Sequence, residues 1–156
     1  METIATTQLR HFPAQTVLSR IGRVTVAGLD AFIEESIAML GREAAAAGMA
    51  PDAAPVVLYH GDVDDARDGP VEVCLPVPSK PVAGIRQLPA ITALVAQARG
   101  EACDFPAILS VYGAIMDRIA EEGLVPDGPG REIHHQEDGE RRILVAMPIA
   151  SPDRSA

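Results

Sequence analysis

Aromatic residues are scarce in this chain of 156 residues, which has no tryptophan, three phenylalanines and two tyrosines. The whole aromatic set is Phe12, Phe32, Phe105, Tyr59 and Tyr112. Any ligand pocket built from this sequence is therefore mainly aliphatic. The hydrophobic share of 47% and the charged share of 22% are those of a globular chain that can bury a core.

Cysteine and long apolar runs are also in short supply. Cys74 and Cys103 are too few for a disulfide scaffold and neither belongs to a CxxC pair, so free thiols are expected. No apolar run reaches the roughly 18 residues that span a bilayer, and the first residues lack the apolar core of a signal peptide. The sequence therefore predicts a soluble, cytoplasmic protein without a membrane partner.

Positively charged residues are also few. The chain has 13 Lys and Arg residues and 22 Asp and Glu residues, which gives a net charge of −9. This charge opposes the phosphate backbone, so direct binding of nucleic acid is not expected. It favours cationic ligands or a basic patch on a protein partner only weakly, because net charge mainly governs solubility.

The chain contains two similar stretches, which begin at Gly48 and Gly123. At one constant offset of 75 positions the matching pairs are Gly48 and Gly123, Pro51 and Pro126, Asp52 and Asp127, and His60 and His135. A constant register followed by one length change in a loop is typical of a duplicated structural unit. Chance matching among common residues is the alternative.

Hydrophobic periodicity predicts the order strand, helix, strand, strand in each half. The first half has a predicted strand over 14–26, a helix over 29–47 ended by Gly48, and strands over 56–59 and 71–76. The second half has a predicted strand over 91–98, a helix capped by Asp104 and ended by Gly123, and strands over 131–135 and 143–149. Residues 1–10 are expected to form a loose start, and 77–87 a linker.

Two such units predict an α+β fold of duplicated βαββ units, with an antiparallel sheet and two helices on one face. The repeats extend over about 11–78 and 87–149. Because neither half could bury its apolar face alone, one domain over 8–150 is expected, with flexible ends at 1–7 and 151–156.

Glu132 is the position on which a functional prediction rests, since the first copy has Val57 there. Side chains alternate along a strand, so Glu132 shares a face with His134, and the first copy presents Tyr59 at the latter position. If this face lines a groove, an unpaired carboxylate costs several kcal/mol, which a bound cation relieves. Tyr112 or Tyr59 could add about 0.5–2 kcal/mol by cation–π contact. The alternative is a glutamate in solvent that pairs with Arg131, Arg141 or Arg142.

The sequence contains no motif for metal binding, nucleophilic catalysis or phosphate binding. His134 and His135 point to opposite faces of a strand, so they cannot share a metal ion. The stretch GDVDDARDG resembles a calcium loop, but Ala66 and Val73 stand where oxygen ligands are needed. There is no GxSxG motif and no glycine-rich phosphate loop. Neither a metal nor a cofactor is predicted.

The succession FPAQTVLSRIGRVTV, PVVLYHGDVDD, GPVEVCLPV, AEEGLVPDGPGREIHH and ILVAMPI resembles the GyrI-like small-molecule-binding domain. The same domain forms the effector-binding half of some AraC-type and multidrug-sensing transcription regulators. The resemblance covers about residues 8–150 and implies a duplicated βαββ fold with a ligand groove between the halves. It also implies lipophilic, often cationic, ligands. No helix-turn-helix pattern precedes the matched stretch, so a DNA-binding regulator is not expected.

The resemblance assigns candidate ligand-binding residues position by position. Glu132 matches the glutamate of a strand pattern Glu–apolar–Tyr that meets the positive charge of the ligand, and Tyr112 matches a groove-facing aromatic on the second helix. The remaining candidates are Tyr59, Met147, Phe105 and His134. His134 departs from the family, which usually has tyrosine there, so a smaller or more aliphatic ligand is expected.

Three functions follow from this set of residues. The first is a binding protein that sequesters or senses a small lipophilic cation through Glu132. The second is a small-molecule hydrolase in which Glu132 is the general base and Tyr112 a hydroxyl donor. The third is a protein-interaction inhibitor of a DNA-processing enzyme, whose acidic surface would mimic nucleic acid.

Overall fold

The computed structural model describes residues 6–79 and 83–150. Within them lie eight strands, two α helices and one short 3-10 helix over Gly100–Cys103. The strands are β1 Gln8–Phe12, β2 Gln15–Val24, β3 Val56–Tyr59, β4 Gly69–Pro76, β5 Ile85–Leu88, β6 Ile91–Arg99, β7 Gly130–Glu137 and β8 Glu140–Ile149. The helices are α1 Val26–Ala46 and α2 Leu109–Glu122. The predicted α+β class with antiparallel strand pairing is confirmed.

The chain divides into two compact units. The contiguous unit is Ala14–Pro89, and the split unit combines the residues up to Pro13 with those from Ala90 onwards. Each unit holds four strands and one α helix. The predictions that the two halves are duplicates and form one domain stay predictions.

The contiguous unit has the strand order β3-β4-β2-β5, with antiparallel pairs throughout. Helix α1 covers one face of these strands because its apolar side chains recur every three to four residues. Its buried residues are Phe32, Ile33, Ser36, Leu40 and Ala44. They pack against sheet residues that include Leu18, Val57, Val71, Val73 and Leu75.

The split unit has the strand order β1-β6-β8-β7, again antiparallel. Helix α2 buries Val111, Ile115 and Ile119, one residue per turn. These side chains pack on a row of small and branched residues from β6 and β8, which includes Leu94, Ala96, Ile143 and Val145.

Two strands occur where the sequence predicted irregular chain. Residues 8–10, predicted as a loose start, belong to β1, which pairs with β6. Residues 85–87, predicted as part of a linker, belong to β5, which pairs with β2. β1 is mostly exposed, and β5 has exposed residues in the middle of a strand of four, so neither shows the alternation of apolar and polar residues that marks a half-buried strand. Residues 80–82 of the predicted linker lie outside the described residues.

The start of α2 was also predicted wrongly. The helix begins at Leu109, whereas the sequence placed its cap at Asp104. The carboxylate of Asp104 instead accepts a hydrogen bond from Arg141 Nη1 at 2.7 Å. Because that side chain binds an arginine on β8, it does not cap a helix, and the intervening residues form turns.

The predicted helix ends and hairpin are confirmed. Gly123 ends α2 with a φ of 63°, a left-handed conformation that glycine adopts without steric cost. Asp138 and Gly139 have φ values of 49° and 80° and join β7 to β8 as a tight turn.

The ends of the chain are described only in part. Residues 1–5 and 151–156 of the predicted flexible ends lie outside the described residues. Thr7, which was also predicted to be flexible, accepts hydrogen bonds from Arg118 on α2. In the described part of the chain, neither α helix is both long and apolar enough to cross a bilayer.

Candidate ligand-binding site

The α2-covered face of the split unit carries an acidic side chain, Glu132 on β7. Glu132 lies opposite Val145 on β8, and Val145 lies opposite Ala96 on β6. Directly opposed residues point to the same face of an antiparallel sheet. Val145 and Ala96 belong to the cluster that packs under α2. Glu132 is therefore a carboxylate beside the apolar cluster under α2, and only 5% of the residue is exposed.

Tyr112 reaches this carboxylate from α2. Its hydroxyl donates a hydrogen bond to Glu132 Oε2 at 2.5 Å. The tyrosine is half-buried against the same apolar cluster, which fixes the position of its ring. A hydrogen bond to a carboxylate contributes about 1.5–3 kcal/mol, so this contact offsets part of the cost of burying the charge.

His134 binds the second carboxylate oxygen. It lies two residues along β7 from Glu132, on the same face, and its Nε2 is 3.1 Å from Glu132 Oε1. An ionised carboxylate only accepts hydrogen bonds, so Nε2 carries the hydrogen in this contact. The side chain of His134 is 18% exposed and that of Glu132 is 7% exposed.

The structure therefore brings together three of the six predicted site residues. The alternative of a glutamate in solvent is wrong, because Glu132 is buried. Of the arginines proposed for that alternative, Arg141 binds Asp104.

The other three predicted residues lie elsewhere. Met147 on β8 packs at the margin of the α2 cluster, two residues along from Val145 and over Gly130. Tyr59 belongs to the contiguous unit and packs against the core of that unit. Phe105 precedes α2 and is 45% exposed. Whether any of the six binds a ligand stays a prediction.

Sequence reasoning missed a second buried acid, Glu72 on β4 of the contiguous unit, which is 1% exposed. Arg86 on β5 binds it through two nitrogens, with Nε 2.8 Å from Oε2 and Nη2 2.9 Å from Oε1. His60 Nε2 lies 2.8 Å from Oε1. The hydrogen bonds from Arg86, joined by those from His60 and Ser19, outweigh burial and lower the pKa of Glu72 to about 2. The sequence pattern that could have predicted this buried acid is its position between Val71 and Val73 in an otherwise apolar strand.

Metal and thiol chemistry gain no support from the geometry. In residues 6–79 and 83–150 no group of three or more His, Cys, Asp or Glu side chains is arranged to hold a metal ion. Cys103 lies in the α2 cluster, and burial raises the pKa of its thiol. A raised pKa leaves little reactive thiolate at neutral pH. The arrangement of Tyr112, Glu132 and His134 is suited instead to binding a cation and to moving protons.

Comparison with known proteins bears on the fold. No protein-family model and no curated protein matches the sequence. Among solved structures, the C-terminal domain of EcmrR matches 96% of this chain over 99% of its own, with a TM-score of 0.72 and 19% identity. The chain shares the fold of that domain. In the complex of EcmrR with DNA the match covers 95% of this chain and 58% of EcmrR, with a TM-score of 0.76 and 22% identity.

A third match concerns a ligand complex. SAV2435 bound to tetraphenylphosphonium matches 96% of this chain and 97% of its own, with a TM-score of 0.63 and 15% identity. At identities this low the matches establish the fold alone. Membership of the GyrI-like family stays a prediction.

Proposed function

We propose that this protein binds a small lipophilic cation and that Glu132 is the counter-charge for it. The observation that carries the proposal is a buried carboxylate held by Tyr112 and His134 on an apolar sheet face. The contacts with the Tyr112 hydroxyl and the His134 imidazole orient the carboxylate of Glu132. An apolar surface around an oriented negative charge is complementary to a lipophilic cation.

Removal of water from around Glu132 strengthens its attraction for a cation. The apolar surroundings of Glu132 lower the local dielectric constant, which strengthens the attraction between the carboxylate and a cation that displaces water. The Tyr112 ring can add about 0.5–2 kcal/mol if the cation lies over its face. The fold shared with SAV2435, which was solved with the lipophilic cation tetraphenylphosphonium, supports this choice of ligand class.

Equilibrium binding of tetraphenylphosphonium tests the proposal. We expect the wild type to bind this cation and Glu132→Gln to bind it at least about tenfold more weakly, a loss of about 1.4 kcal/mol. Glu121→Gln is the matched control, because Glu121 is exposed on α2 and the change removes the same charge. Equal affinities for the wild type and Glu132→Gln would rule out the role of Glu132.

A hydrolase is the second candidate, favoured by the contact that places the Tyr112 hydroxyl against the carboxylate of Glu132. In this reaction Glu132 takes a proton from water, the water oxygen bonds to an electrophilic carbon, and the Tyr112 hydroxyl protonates the departing atom. A strained electrophile such as an epoxide is the probe. Turnover that is lost in both Glu132→Gln and Tyr112→Phe would favour catalysis over binding alone.

A further inference from the structure

His134 couples the charge of the candidate site to pH. Its Nε2–H already binds Glu132 Oε1, so a second proton can only be taken up at Nδ1. Proton uptake converts the imidazole to a cation 3.1 Å from the carboxylate. With both side chains largely shielded from solvent, at 18% and 7% exposure, this internal ion pair is weakly screened.

We infer that this protein binds its cation in exchange for a proton on His134. The inference rests on the proposed function of Glu132. When His134 is protonated, its charge neutralises Glu132 and competes with the ligand cation for the same carboxylate. When His134 is neutral, this competing charge is absent. By linkage, a bound cation must then release the proton from His134.

We attribute the exchanged proton to His134 rather than to the groups around it. Besides Glu132, the charged and titratable side chains on the side of the strands that His134 faces are Tyr112 on α2, Cys103 and Asp104 at the 3-10 helix, and Arg141 on β8. Arg131, His135 and Arg142 lie on the other face of these strands. Glu101, Asp117, Glu121, Glu122 and Glu140 are exposed, and Arg118 binds Glu122 and Thr7. Arg141 and Asp104 bind each other at 2.7 Å, so their charges offset one another. Burial raises the pKa of Cys103, which keeps that thiol neutral. Histidine is the residue type that changes charge between about pH 5 and 8.

The neighbouring histidine provides an internal control. His135 follows His134 on β7 and lies opposite Arg142 on β8, on the other face of the strand pair. The two imidazoles are adjacent in sequence, and His134 is the one whose ring nitrogen lies within hydrogen-bond distance of Glu132. If cation binding changes when His134 is replaced and does not change when His135 is replaced, the effect comes from the contact between His134 and Glu132. A general effect of surface charge would appear in both variants.

Tetraphenylphosphonium is the appropriate probe because its charge does not change with pH. We expect its affinity for the wild type to fall about tenfold between about pH 8 and pH 5. Calorimetry in two buffers of different ionisation enthalpy should show proton release on binding near the middle of this range. In His134→Gln, which keeps an N–H donor but does not titrate, both the pH slope and the proton release should disappear. His135→Gln should retain both.

The outcomes separate the two proposals. If tetraphenylphosphonium binding does not depend on Glu132, the proposed function fails. If binding depends on Glu132 but the wild type releases no proton, or if His134→Gln keeps the wild-type pH slope, the exchange fails and the proposed function stands. The wild-type proton release needs no variant, so the test holds even if His134→Gln does not fold. Neutral triphenylphosphine oxide, of similar shape, should bind with no dependence on His134 protonation.

Discussion

Two glutamates in the described residues are buried, one in each unit, and their contacts differ. Glu72 is bound by the guanidinium of Arg86, which neutralises its charge inside the protein. Glu132 is held by the Tyr112 hydroxyl and the His134 imidazole. A carboxylate bound in a fork by arginine is typical of structural stabilisation. The arrangement around Glu132 is the one that we connect to ligand binding.

The Glu72 network predicts a dependence of stability on pH. Its pKa falls from the ordinary value of 4.5 to about 2, mainly through Arg86, which corresponds to about 3 kcal/mol of stabilisation. Because the folded-state pKa is the lower one, this stabilisation is complete above about pH 4.5 and is lost as the pH falls towards 2. We expect Glu72→Gln to lower the free energy of unfolding by about 3 kcal/mol at neutral pH.

Urea denaturation at several pH values measures this effect. The difference between the wild type and Glu72→Gln should shrink steadily between about pH 4.5 and pH 2. Glu122→Gln is the control, because its ion pair with Arg118 is exposed and contributes at most about 1 kcal/mol. A difference that stays constant down to low pH would mean that packing, not charge, causes the loss.

The sequence was informative about single residues where a local rule applied. Alternation along a strand placed Glu132 and His134 on one face, and the structure confirms that they meet. The buried ion pair of Glu72 was not predicted, because its main partner, Arg86, lies in a segment that the sequence assigned to a linker. The partner of a buried charge is set by strand pairing between distant residues, which no local pattern reveals.

The elements show where hydrophobic periodicity succeeds and where it fails. Both helices were predicted because their buried residues recur once per turn. Strands β1 and β5 were not predicted, since neither shows an apolar alternation and both depend on hydrogen bonds to β6 and β2. An edge strand of this kind is defined by its neighbour, so its own sequence carries little signal.

The β4 strand begins with a glycine that the surrounding loop requires. A Cβ at Gly69 would lie 2.1 Å from the carbonyl oxygen of Asp62, a backbone atom. We expect Gly69→Ala to destabilise the protein by about 1–3 kcal/mol, because the preceding loop must move.

Gly113→Ala is the matched change on α2, where the added methyl meets nothing within 4 Å. It should stabilise the protein by about 0.5–1 kcal/mol, because alanine favours the helix. Thermal unfolding followed by circular dichroism compares the two variants. If both shift the melting temperature in the same direction, the steric argument for Gly69 is wrong.

At the scale of the whole molecule, β1 and β5 each pair within one unit although the next strand along the chain belongs to the other unit. β1 precedes the contiguous unit but pairs with β6 of the split unit. β5 precedes β6 but pairs with β2 of the contiguous unit. The register of Gln8 with Val95 joins residues far apart in the chain. Such pairing could not be read from local composition.

Deletion of residues 1–13 tests the contribution of β1 to the split unit. It removes the strand that pairs with β6 and the Phe12 side chain that packs beside Val95. We expect a loss of more than about 2 kcal/mol of stability and greater aggregation, because β6 becomes an unpaired edge. Deletion of residues 1–6 is the control, since it keeps Thr7 and β1. Equal urea midpoints for the two truncated proteins would contradict this role.

The separation of β1 from its partner also has a consequence for biosynthesis. Residues 14–89 leave the ribosome as one continuous segment, so the contiguous unit can complete its strand pairing while the rest of the chain is still being made. β1 must wait until β6 has emerged before it can pair with it. β1 is thus synthesised well before its partner and incorporated late, and a nascent-chain chaperone would meet it in its unpaired form.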